Sequence, residues 1–436
     1  MNSWHPEVQT LRRWATKGGL AVLDQGLFSG ANFLVNILLA RWLPPEEYGA
    51  FTVALSVFYL LAGFHTAVLT EPMMVFGAGK YREYFRKYLG ILLWGHWAIS
   101  ALIALVLGIA ALVMARLGSA AMAQALAGLA VASPFLLLLW LVRRAPYVEM
   151  RPGWAVVGSG VNFLVTLVGV FLLWRHGLLS SLSGLVLLGV AGAVASLALL
   201  LHIRPQVVRF VGNPTPGMVA THHWDYGRWL ILQTFVYWVF SDAILPVLTV
   251  FQGLAITGVF RAYQNLFFPI FQFLTAISLL VLPAAVRRYH AKGDGGLRQI
   301  AFIFTVFCVL STSLYAFFVF VLRRPLVSFL LGEEYLAYVD LLSVWLLGPV
   351  ILALGRGAEI VARVLERPQI ILYSYVAGAV MSLVLFLLLV PPFGLWGAVY
   401  TRILSFGVQM GALLLMAAYS LPSSYNDASH RQDGKR

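Results

Sequence analysis

Twelve long apolar stretches divide this chain, and its basic residues are sorted between them so regularly that few folds remain open. The stretches cover about 18–40, 48–70, 89–113, 121–142, 154–174 and 180–203, then 227–250, 254–282, 300–322, 339–362, 369–390 and 394–419. A hydrocarbon core of about 30 Å takes about 20 helical residues, so each stretch suffices to cross it. With the N-terminus placed in the cytoplasm, 22 of the 30 Lys and Arg residues fall in inner connections, in clusters such as Lys80, Arg82, Arg86, Lys87 and Arg287, Arg288, Lys292, Arg298. Only 5 (Arg41, Arg116, Arg175, Arg323, Arg324) fall in outer ones, and 3 (Arg261, Arg356, Arg402) lie within spans. Lys and Arg of short loops stay cytoplasmic, so one pattern predicts span number and orientation together. A slip of a single span destroys it. The expected fold is an all-α polytopic membrane protein with about 12 transmembrane helices, multi-pass in a bacterial cytoplasmic (inner) membrane, with both termini cytoplasmic.

Composition agrees: 61% of residues are hydrophobic and 11% charged, which excludes a soluble globular chain. The net charge of +13 is absorbed by the inner connections. It points to anionic membrane lipids and not to nucleic acid. No connection is long enough for a separate soluble domain. Residues 1–17 carry no apolar signal-peptide core and read as a cytoplasmic amphipathic segment, with Trp4, Val8, Leu11 and Trp14 beside Arg12, Arg13 and Lys17. Residues 420–436 read as a polar cytoplasmic tail. The one cysteine, Cys308, permits no internal disulfide.

The second half echoes the first. Tyr48-Gly49-Ala50-Phe51 opens the second span, and Thr257-Gly258-Val259-Phe260 occupies the corresponding place in the eighth, 209 residues later. Arg151-Pro152 precedes the fifth span and Arg367-Pro368 the eleventh, 216 residues later. Six spans per half gives both halves one orientation, related by an axis along the membrane normal, an arrangement that binds cargo between lobes. The expected organisation is a six-helix lobe over 18–203, a Pro-rich cytoplasmic connector over 204–226 and a second six-helix lobe over 227–419.

Polar side chains in lipid are costly and face a cavity or another helix. In the first span Gln25, Ser29, Asn32 and Asn36 share one helical face. The second carries Thr52, Ser56, Tyr59, Gly63, Thr66 and Thr70; the seventh Gln233, Tyr237, Ser241 and Asp242; the eighth Arg261, Asn265, Gln272 and Thr275. Either these stripes line a hydrated cleft between the lobes, or the small residues among them let helices pack closely. At about 1.5 Å per residue, Asp242 and Arg261 reach similar depths in the outer half, so an ion pair is expected unless Arg261 serves an anionic cargo. Arg402 also lies in the outer half, with Ser405 and Gln409 on its face. Arg356 and Glu359, at i and i+3, are expected to pair. Asp24 is either a proton or cation site or a capping, snorkelling acid. His65 and His96 read as lone, packed histidines.

The stretch Leu38-Leu39-Ala40-Arg41-Trp42-Leu43-Pro44-Pro45-Glu46-Glu47-Tyr48-Gly49-Ala50-Phe51 resembles the junction of the first two helices in bacterial polysaccharide exporters of the multidrug/oligosaccharidyl-lipid/polysaccharide (MOP) flippase superfamily. Pro392-Phe393-Gly394-Leu395-Trp396-Gly397-Ala398 is similar to a turn of the same family. Locally, Pro44 and Pro45 stop one helix, and Glu46 and Glu47 suit the positive N-terminal end of the next. The resemblance implies a MOP/MATE-like fold and a flippase of the O-antigen type. Its cargo would be an undecaprenyl-pyrophosphate-linked oligosaccharide, moved by alternating access across a cavity lined by the first, second, seventh and eighth helices. It implies Arg261 and Arg402 for the phosphates, and Gln25, Asn32, Asn36, Tyr59, Gln233, Tyr237, Asn265 and Gln272 for the sugars. A polysaccharide polymerase or export complex is a candidate partner.

The rival is a cation-coupled multidrug antiporter of the same superfamily, which would use Asp24 and Asp242 for a proton or sodium ion. A lipid II flippase would have two further spans. An enzyme is not expected: no metal-ligand spacing, nucleophile motif or phosphate-binding glycine loop is present, and no cofactor is implied.

Overall fold

The computed structural model describes residues 5–207 and 212–420, with side chains from Thr16 on, Leu279 excepted. The side chains on which the amphipathic reading of residues 1–17 rests, Lys17 apart, and the tail after Ser420 lie outside the described residues. All regular structure among the described residues is helical. In chain order it comprises α1 (His5–Trp42), α2 (Pro45–His65), a π-helical turn at Thr66–Thr70, α3 (Glu71–Ala78), α4 (Phe85–Arg116), α5 (Ala120–Val148), α6 (Pro152–Arg175), α7 (Ser181–Ile203), α8 (Pro216–Ser241), α9 (Ile244–Asn265), α10 (Phe268–Val321), α11 (Arg323–Leu330), α12 (Val339–Trp345), α13 (Leu347–Leu354), α14 (Arg356–Val364) and α15 (Pro368–Ser420).

Ten continuous stretches among these residues are long and apolar enough to cross a membrane. Three of them, Pro216–Asn265, Phe268–Val321 and Pro368–Ser420, run to 50, 54 and 53 residues, far beyond the roughly 20 that one crossing takes. Each is broken by a glycine of positive φ: Gly253 (81°), Gly293 (59°) and Gly394 (54°). An L side chain is strained in that region and glycine is not. The three breaks fall where the sequence places the connections between spans seven and eight, eight and nine, and eleven and twelve. Gly397 adds a second constraint to the last of these turns, because a Cβ there would stand 2.1 Å from the Leu389 carbonyl oxygen. The expected all-α polytopic membrane fold is present.

The described residues form two compact units, one reaching to Trp238 and taking in Leu245–Asn265, the other made of Val239–Ile244 and the chain from Leu266 on. Gly49 of α2 and Gly258 of α9, the two glycines of the sequence repeat, meet at a crossing: a Cβ on Gly49 would lie 1.9 Å from the Leu254 carbonyl oxygen, and one on Gly258 would lie 2.3 Å from that of Pro45. Along α8, Gly227 abuts the Ala67 carbonyl, and Thr234 fills the space a Cβ on Gly63 would need. Small residues thus let α8 and α9 close onto α2. Trp238 adds a hydrogen bond from Nε1 to the Ser56 carbonyl (2.7 Å).

Within the first unit α5 packs between α4 and α7, and α1 runs along α6. Glu47 does more than favour its own helix start: its Oε2 accepts from the backbone N–H of Ser181 (3.0 Å), tying the starts of α2 and α7 together. Ser180 and Ser183 complete a capping box there. In the second unit α10 packs on α13 and α14, which pack in turn on α15.

Candidate functional site

Two residues of the α1 polar stripe border an internal space of the first unit. Asn32, Asn36 and Tyr59 line a cavity of about 50 Å³ with Trp140, Asn162 and Thr166, the rest of its wall being apolar. A space of this size admits water or a bare cation. Tyr59 stacks on Trp140 with ring centroids 6.3 Å apart. Next to this space Asn265 Nδ2 donates to the fully buried Tyr48 hydroxyl (2.7 Å), which donates to Asn36 Oδ1 (3.4 Å). Arg261 acts electrostatically on the same hydroxyl and donates from Nη1 to Gln264 Oε1 (2.9 Å). So Asn36, Asn265 and Arg261 converge around Tyr48, a residue the sequence reading used only as part of a motif.

Asp24 lies one step deeper. It is 1% exposed and accepts hydrogen bonds from Arg143 Nη1 (2.7 Å), the Tyr147 hydroxyl (2.6 Å) and Ser159 Oγ. The Arg143 guanidinium sits over the Phe28 ring (4.0 Å), and Phe28 is part of the cavity wall. A buried carboxylate with an arginine and two hydroxyls is a satisfied internal ion pair. Its two weighed roles are thereby narrowed: Asp24 neither caps α1 nor snorkels, since its partners come from α5 and α6.

The α2 stripe divides. Thr52, Ser56 and Thr70 are buried, and Thr52 Oγ1 donates to its own helix at the Gly49 carbonyl (3.0 Å). This is the close-packing alternative. His65 and His96 are not lone: His65 Nε2 and His96 Nδ1 stand 3.0 Å apart in a fully buried pair. Gln25, Asn32, Gln233 and Tyr237 are exposed, and Gln25 Nε2 donates to Ser29 Oγ (2.9 Å).

In the second unit Arg402 is 4% exposed. Its guanidinium donates to the carbonyls of Phe240 and Ser241 and packs against the rings of Phe240 and Phe406. A cation at those carbonyls complements the negative C-terminal end of α8. Asp242 accepts from Ser241 Oγ (2.5 Å), and Gln272 is half-buried on α10. Arg356 and Glu359 form the expected ion pair at 3.1 Å.

Sequence reasoning missed Arg143, Tyr147, Ser159, Asn162, Thr166 and Trp140. A signal existed for three of them, because Ser159, Asn162 and Thr166 are spaced by three and four residues on one face of α6.

No protein-family model matches the chain, and no characterised protein matches it by sequence. Solved structures do. A lipid II flippase, MurJ, in an inward-closed conformation superposes with a TM-score of 0.73 at 13% identity, over 92% of this chain and 87% of that one. An inward-facing multidrug-resistance MATE transporter of the MOP superfamily gives 0.71 at 14% identity, over 91% and 94%. The MATE multidrug transporter DinF-BH gives 0.61 at 15%, over 94% and 95%. The chain shares the fold of these MurJ and MATE structures. At such identities the likeness establishes fold alone, and it does not separate the two branches. With its ten membrane-length apolar helical stretches, the polypeptide is a multi-pass membrane protein of that fold.

Proposed function

We propose that the chain is an alternating-access exporter of amphiphilic cargo, and that cation-coupled antiport is the better supported of the two mechanisms weighed from the sequence. One observation carries this: the polar residues of α1, α2, α5 and α6 converge on a space of about 50 Å³, sized for water, a proton path or a bare cation. The buried Asp24 stands behind its Phe28 wall. The MATE transporters among the matched folds support the same reading. In it, exchange of a cation at this polar core biases the first unit between two packings, and the cargo moves with them.

A second reading keeps specific support. The 38–51 junction resembles polysaccharide exporters, and the lipid II flippase is among the matched folds. In that reading the cargo is an undecaprenyl-pyrophosphate-linked oligosaccharide. Arg261, half-buried beside Tyr48, is the better candidate for its phosphates, because Arg402 already serves two backbone carbonyls.

Depletion of the protein from its host membrane tests both. Increased sensitivity to cationic drugs, with no build-up of lipid-linked sugar, is the expected result. Accumulation of an undecaprenyl-linked oligosaccharide on the cytoplasmic leaflet would overturn antiport and identify the cargo.

A further inference from the structure

A second cavity of the first unit, about 750 Å³, shares no lining residue with the polar core and belongs to neither reading of the cargo path. It is a groove on the flank of the unit. Leu93, Trp94 and Trp97 of α4 form one wall, and Leu200 and Leu201 of α7 form the other. Its volume falls within the range of about 300–1,000 Å³ typical of ligand sites. Trp94 and Leu201 are 61% and 65% exposed, so the groove is open to the surroundings of the helices.

One end of it is a built feature. Arg204 ends α7 in the left-handed region (φ 52°) and turns the chain across α4. Gly90 admits that crossing, since a Cβ there would stand 1.8 Å from the Gln206 carbonyl oxygen. Three hydrogen bonds clamp the crossing: Gln206 N–H to the Arg86 carbonyl (2.9 Å), Arg86 Nε to the Ile203 carbonyl (3.0 Å) and Trp94 Nε1 to the Val207 carbonyl (2.9 Å). The result is an apolar trough whose lining, among the described residues, holds one cation, the exposed Arg204 at its rim, and no carboxylate.

We propose that this groove binds one anionic phospholipid, with an acyl chain between the α4 and α7 walls and the phosphodiester at Arg204. The charge pattern sets the start of α4 and the end of α7 at the cytoplasmic face, so the lipid comes from that leaflet. Among the described lining residues Arg204 is the cation, and its charge matches the single negative charge of a phosphodiester. The inference does not rest on the choice of cargo.

The test uses the full chain in nanodiscs with photoactivatable phosphatidylglycerol and phosphatidylcholine probes carrying a diazirine in the acyl chain, read by peptide mapping. Adducts are expected to concentrate on residues 93–97 and 200–207, with phosphatidylglycerol favoured about fivefold, the value of one cation near a membrane surface. Arg204→Gln should equalise the two probes there while leaving labelling elsewhere unchanged. Leu200→Trp should block both by filling the trough. Labelling spread evenly over all outward helices, or a headgroup ratio unaltered by Arg204→Gln, would overturn the proposal. So would displacement of the probe by equimolar undecaprenyl pyrophosphate, which would assign the groove to an isoprenoid.

Discussion

Two buried arginines, Arg402 and Arg143, have different burdens once folded. Arg402 holds two carbonyls at the end of α8, and truncating it strands both in a buried setting. Each unsatisfied buried acceptor costs about 1–3 kcal/mol, so Arg402→Ala should lower stability by about 2–5 kcal/mol, with Arg402→Lys recovering part. Thermal unfolding in detergent measures this; unchanged stability would free the guanidinium for a cargo. Arg143 reads as one more positive-inside residue, yet its partner Asp24 lies 119 residues away. Removing one member of such a pair leaves an uncompensated buried charge and costs about 3–5 kcal/mol. Asp24→Asn should therefore destabilise the first unit, and the double variant Asp24→Asn/Arg143→Met should regain most of the loss. If Asp24 serves only stability, transport should return with it in the double variant; antiport through Asp24 requires that it does not.

At the scale of helices, the α2–α9 crossing shows what the repeat motif is for. Its glycines were legible as a repeat, and their meeting was not, because repeats 209 residues apart carry no record of which faces touch. Gly49→Ala and Gly258→Ala should each cost about 1–3 kcal/mol as overpacking. Together they should cost less than the sum, since the first Cβ already forces the crossing open. A double-mutant cycle on unfolding temperature reads the coupling, and strict additivity would mean that the two positions do not share one contact. The second-helix stripe teaches the converse lesson. Thr52, Ser56 and Gly63 have the composition of a cavity face and of a packing seam alike. The seating of Thr234 at Gly63 and the Trp238 bond to the Ser56 carbonyl are those of a seam.

For the molecule as a whole, the arrangement of charges makes a direct prediction of topology. Cys308 is buried, so single cysteines introduced elsewhere can be read against a low background. Cysteines placed within 80–87, 204–207 and 287–298 should react with impermeant reagents from the cytoplasmic side only, and those within 116–119, 175–180 and 323–332 from the other side only. Any segment labelled from the wrong side would break the alternation on which the orientation rests.

Polytopic architecture and the places of the breaks at Gly253, Gly293 and Gly394 follow from one-dimensional patterns, as does the orientation expected from the charges, because lipid imposes its length and charge rules on each span separately. The groove rim at Arg204, the Asp24–Arg143 network and the Tyr48–Asn265 contact depend on which spans become neighbours. That is decided by packing among helices of nearly equal hydrophobicity. A residue's own sequence context holds no term for it, so only the tertiary structure could assign those partners.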